Sequence, residues 1–126
     1  MKQENYDRGP VLPELKGFDC ADHDPIDTWI PDGPSIRYQL TLHIGSSDSS
    51  AADLFHIFVC NHAGLKETRR LGVTPGSATP IVLSEYSWNA VLEEVNRRLK
   101  KCEGRGWFDV QEKLRQQFDW EYEGKP

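Results

Sequence analysis

From Ile36 to Ile44 the sequence alternates with a period of two. Ile36, Tyr38, Leu40, Leu42 and Ile44 are apolar, and Arg37, Gln39, Thr41 and His43 between them are polar. A pleated strand sends successive side chains to opposite faces, so this pattern dictates a strand buried on one face and wet on the other. One-faced strands of this kind belong to antiparallel sheets. Downstream, residues 54–60 set Phe55, Ile57 and Val59 on one face and Leu54, His56, Phe58 and Cys60 on the other. Apolar groups on both faces predict a central strand. The small, polar residues 45–53 join the two stretches, which gives a β-hairpin over residues 35–60.

The rest of the chain adds to that hairpin. Residues 14–20 read as a short strand with a bulge at Gly17, and residues 80–84 as a further strand. Residues 61–79 read as a long irregular segment, with one or two helical turns over 65–71 and a turn at Thr74-Pro75-Gly76. Over residues 88–102, Trp88, Val91, Leu92, Val95 and Leu99 recur at three- and four-residue spacing behind a Ser87 N-cap, with Glu93 and Glu94 early and Arg97, Arg98, Lys100 and Lys101 late. That is an amphipathic helix whose charges complement its macrodipole. Gly104 and Gly106 end it, and residues 109–118 predict a second helix. Strands first and helices last predict an α+β fold, an antiparallel β-sheet of three to five strands with two C-terminal α-helices packed on it. The 126 residues suit one domain over 1–126, with residues 1–13 as a loose N-terminal arm.

A formal net charge of −5 disfavours general nucleic-acid binding and favours a basic partner. Three scattered cysteines do not make a secreted disulfide framework, and neither a signal peptide nor a membrane-spanning run is visible, so a cytoplasmic protein away from membranes is expected. Cys20-x-x-His23 and Cys60-x-His62 offer four zinc ligands, although the second spacing is tighter than structural sites use and Cys60 also suits a small apolar role. His43 and His56 lie on facing strands, where they are either polar surface or the acid/base pair of a small hydrolase or nuclease. Arg69-Arg70 and the basic end of the first long helix make a patch that the helix dipole already explains. No phosphate-cradling glycine loop is present.

The acidic and aromatic segments stand apart. Residues 19–34 carry Asp19, Asp22, Asp24, Asp27 and Asp32 with no Lys or Arg, and Trp29 and Ile30 lie among them. Trp29 is either a recognition anchor ringed by carboxylates or a ring folded back on the core. The tail alternates Asp119, Glu121 and Glu123 with Trp120 and Tyr122. Brought together, the loop and the tail would form a negative face that steers a basic protein.

The order of Leu15-Lys16-Gly17-Phe18, Trp29-Ile30-Pro31-Asp32-Gly33-Pro34, His43-Ile44-Gly45, Asp53-x-Phe55-x-Ile57-x-Val59-Cys60-Asn61 with Leu65, and Phe118-Asp119-Trp120-Glu121-Tyr122 resembles the eighth family of bacterial immunity proteins from polymorphic-toxin and contact-dependent growth inhibition systems. The sequence departs from that family at Asn61-His62-Ala63-Gly64, where a proline and an aromatic are more usual. The resemblance implies a small α+β protein without enzymatic activity or cofactor, whose partner is the C-terminal domain of a cognate toxin, often a nuclease. Contact residues in such families vary with the toxin, so none transfers by motif. The surface argument selects Asp22, Asp24, Asp27, Trp29, Asp32, Asp119, Glu121 and Glu123.

Overall fold

In the computed structural model, which describes residues 10–73 and 76–122, the alternating stretch is the strand β2 (Arg37–Ser46), paired antiparallel with β1 (Pro13–Asp19) on one side and β3 (Asp53–Asn61) on the other. The β1–β2 register slips between Leu15 and Gly17, beside the glycine expected to mark a bulge. The far edge of β3 is shared. Its end, Val59 to Asn61, pairs with β4 (Ile81–Leu83), and Phe55 and His56 pair with the short β5 (Asp119–Trp120). β3 is therefore central, as its two apolar faces predict. Of the N-terminal arm, Val11 and Gly104 exchange backbone hydrogen bonds of 2.6 and 3.0 Å, and Pro13 already belongs to β1; residues 1–9 lie outside the described residues.

The fold is α+β, with one departure from the expected pairing: β4 runs parallel to β3. A parallel partner needs a crossover, and α1 (His62–Arg70) supplies it, taking in the helical turns expected over 65–71 and starting earlier, in what was expected to be irregular chain. The cause is local. Asn61 caps the helix, its Oδ1 accepting from the Gly64 amide at 2.8 Å and from the Ile36 amide at 3.0 Å, while its Nδ2 donates to the Pro34 carbonyl at 2.7 Å. One side chain thus starts α1 and ties it to the entry of β2. Gly64 is buried so close to β2 that a Cβ would overlap the Ile36 carbonyl oxygen. The contact surface of α1 is small and partly polar, so it lacks the wide apolar stripe that reveals a helix in a sequence.

The core forms where Tyr38, Leu40, Leu42 and Ile44 of β2 and Phe55, Ile57 and Val59 of β3 meet the two long helices. These are α2 (Trp88–Lys100), contributing Val91, Val95 and Leu99, and α3 (Trp107–Gln117), contributing Val110 and Leu114. Ser87 caps α2 by accepting from the Ala90 amide at 3.0 Å. The Asp53 carboxylate staples α3 to the start of β3, accepting from Gln111 Nε2 at 2.6 Å and Trp107 Nε1 at 3.3 Å. Arg98, expected among the exposed cations at the end of α2, is 5 % exposed. Its guanidinium donates to Glu94 Oε2 at 3.0 Å and to the carbonyls of Thr79, Gln117 and Pro80 at 2.8, 2.9 and 3.3 Å. The charge therefore clasps the approach to β4 and the end of α3 onto α2, instead of joining a basic patch.

Candidate functional site

The acidic loop leaves β1 at Asp19 and re-enters the sheet at β2. Cys20 and Ile26 are each 2 % exposed and hold it from beneath. A single 3-10 turn, Ile26–Thr28, follows the cis Asp24–Pro25 peptide. Trp29 takes the inward of its two expected roles. Its indole stacks on the His23 imidazole, centroids 3.8 Å apart, and meets the rings of Tyr38 and Tyr86 edge-on at 5.8 and 5.7 Å. Tyr38 and Tyr86 share a hydroxyl hydrogen bond of 2.8 Å, and burial raises both phenols above their ordinary range. With its underside committed to this cluster, the loop turns Asp22, Asp24, Asp27 and Asp32 to solvent. The exposed apolar residue among them is Ile30, at 81 %. Of the adjacent Trp29-Ile30 pair it is thus the isoleucine that is exposed, as expected where neighbouring residues in extended backbone point opposite ways.

The tail residues divide in the same manner. The Asp119 carboxylate faces inward along the chain, its Oδ1 accepting from the amides of Ser77 and Ala78, both at 3.0 Å. The Glu121 amide donates to the Leu54 carbonyl at 3.0 Å, and its carboxylate lies 3.4 Å from His56 Nε2. Glu123 lies outside the described residues. Loop and tail share a sheet face but not a spot. Asp19, Thr41, His56 and Asp119 stand opposite one another across β1, β2, β3 and β5. Three strand spacings separate the two edges, about 14 Å.

Between those edges lie the histidines. His43 faces Leu54 and His56 faces Thr41, which makes them diagonal neighbours rather than a cross-strand pair. Each has its own partners: His43 Nε2 is 2.8 Å from Asp19 Oδ2, and His56 Nδ1 is 3.2 Å from Thr41 Oγ1. The zinc arrangement does not assemble. Cys20 lies within the main core, Cys60 is buried outside that cluster, His23 is stacked on Trp29, and His62 is exposed on α1. Burial pushes the thiols of Cys20 and Cys60 up and that of Cys102 up to about 11, as for small apolar packing groups. Among the described residues no three His, Cys, Asp or Glu side chains converge as metal ligands.

Beside the loop a groove of about 590 Å³ opens between Asp22 and His23 on one wall and Val73, just beyond α1, on the other, with Gln39 and Phe58 in its lining. Arg37 also borders it, 3.8 Å from Glu67. The Ser35 hydroxyl, donating at 2.8 Å, together with Arg37 and Arg70, holds the Glu67 carboxyl below its ordinary range.

A protein-family model described as immunity protein 8 matches residues 13–124, nearly the whole chain. The chain belongs to the immunity protein 8 family. The match runs from the first residue of β1 through the acidic loop, the sheet, all three helices and β5, so the whole described fold except its first few residues is the immunity-protein domain. No curated protein and no solved structure matches the chain. An immunity protein acts by binding a toxin, so a family member needs an accessible recognition surface. None of the described helices is long and apolar enough to cross a membrane.

Proposed function

We propose that this immunity protein protects a toxin-producing bacterium by binding the C-terminal domain of its cognate toxin in the cytoplasm and blocking it, within a contact-dependent inhibition or other polymorphic-toxin system. It acts as an inhibitor and not as an enzyme. The partner is a basic domain, and a nuclease fits because phosphate-binding chemistry demands positive surface. One observation carries this reading beyond the family: Ile30 stands 81 % exposed among Asp22, Asp24, Asp27 and Asp32, on a loop free of lysine and arginine. An apolar contact ringed by carboxylates that form no ion pair with the described residues supplies affinity at its centre and electrostatic steering at its rim. Trp29 supports the contact by fixing the loop from below. The tail makes a second, weaker point of contact through Glu121, with Asp119 bracing it from within by its bonds to the Ser77 and Ala78 amides.

The test is co-expression with the toxin domain encoded beside this chain. The unaltered protein is expected to restore growth and to bind the domain with an affinity that falls as salt rises. Joint reversal of Asp24, Asp27 and Asp32 to lysine should weaken binding by roughly a hundredfold or more and flatten the salt dependence. Unchanged affinity and salt slope would move the contact elsewhere. A chain that protects against no such toxin would overturn the function itself.

A further inference from the structure

We propose that the groove between the acidic loop and the end of α1 is a socket for one arginine side chain of the partner protein; this rests on the reading of the chain as a toxin binder. Three features select that occupant. The first is the pairing of an aromatic with a carboxylate. Phe58 lies on the wet face of the sheet, half-buried, opposite Gln39 in the β2–β3 register, and Asp22 is exposed on the facing wall. A guanidinium stacks on an aromatic face and binds a carboxylate in one geometry, whereas an ammonium is a compact, strongly hydrated charge.

The second feature is the charge balance inside the groove. Arg37 is the cation in its lining, and Glu67 at 3.8 Å, which Arg70 shares at 3.4 Å, offsets part of its charge. Asp22 has no cation within ion-pair distance among the described residues, so its charge is available to a partner. A carboxylate from the partner would instead meet Asp22 and the neighbouring aspartates of the loop. The third is the apolar wall. Val73 is 50 % exposed beside Phe58. An isolated exposed valine has no use for water, but the three-carbon stem of an arginine covers it while the head reaches Asp22. The groove volume lies inside the range of about 300–1,000 Å³ over which proteins enclose small groups, enough for a single long side chain.

N-acetyl-arginine methylamide titrated into the isotope-labelled full chain tests the socket by chemical-shift mapping. Saturable shifts are expected at Asp22, His23, Gln39, Phe58 and Val73, with the lysine analogue at least about fivefold weaker. Asp22→Asn, which alters an exposed residue and leaves the fold alone, should weaken binding by about fivefold or more. Phe58→Leu, which keeps the bulk but removes the ring, should also weaken it. Absence of saturable shifts, shifts elsewhere, or equal response to the lysine analogue would each overturn the socket. Those outcomes leave protection in co-expression untouched, so failure of the socket and failure of the immunity reading are separable.

Discussion

The Trp29 indole lies nearly flat on the His23 imidazole, with ring planes 14° apart, so the two residues clamp the acidic loop from either side of its single 3-10 turn. The clamp works because it is continuous with the core: Trp29 also touches Tyr38 and Tyr86, whose hydroxyls bond each other. Trp29→Ala should therefore destabilise the protein by about 2 kcal/mol through lost area and ring contacts. It should also raise amide exchange across residues 21–33 and weaken toxin binding, although Trp29 itself faces inward. Trp29→Phe should retain most of both properties. Urea unfolding and hydrogen exchange together check it.

Arg98 predicts a large effect from a residue that a composition count would place on the surface. Arg98→Met removes the donor for the carbonyls of Thr79, Gln117 and Pro80 and leaves Glu94 without its buried partner. A loss of about 3 kcal/mol is expected, chiefly from the carbonyls left without a donor, since Glu94 keeps its pairing with Arg97. Arg98→Lys should rescue only part, because an ammonium cannot fan out to three separated carbonyls. Denaturant titration of the two variants measures the difference.

The same cluster sets an acid limit. Arg97, more than Arg98, holds the Glu94 carboxyl down at about 2. The folded protein thus prefers the ionised carboxylate more strongly than the unfolded chain does. That contribution is complete above the ordinary glutamate range near 4.5 and is lost as pH falls towards 2. Glu94→Gln should flatten the stability profile in this window and lower stability at neutral pH. Thermal melts from pH 2 to pH 7 would show it, and a variant profile parallel to that of the unaltered protein would contradict it.

At the start of α1, Gly64→Ala should cost about 2 kcal/mol, because the new Cβ must displace the backbone of Ile36. Asn61→Ala should cost at least the 1 kcal/mol or so of a lost N-cap, and more because the Ile36 amide loses its acceptor. Asn61→Asp should be milder than Asn61→Ala, since it keeps the acceptor and adds charge at a helix N-terminus, although its second oxygen then faces the Pro34 carbonyl in place of a donor. Circular dichroism and urea midpoints rank the three.

Periodicity carried the local part of this fold. The alternation in β2, the two-faced β3, the stripe of α2 and its Ser87 cap all follow from residues within a few positions of each other, because burial of a regular element repeats along it. The acid-rich, cation-free character of the loop was equally legible, since charge needs no partner to be counted. What the tertiary structure decided were single side chains and pairings whose partners lie far along the chain. Trp29 turned inward and Ile30 outward because Tyr38 and Tyr86 offer rings on one side only. Asp119 became a brace because the amides of Ser77 and Ala78 arrive beside it. Arg98 left the surface because three carbonyls from two segments meet at its head. The helical turns over 65–71 were legible, but the start of α1 at His62 and its role as a crossover were not, because a buried glycine and a capping asparagine replace an apolar stripe there, and with that went the parallel pairing of β4. Local patterns determined which segments become strands and long helices; contacts between distant segments decided which way individual side chains face, and the candidate binding surface depends on that second choice.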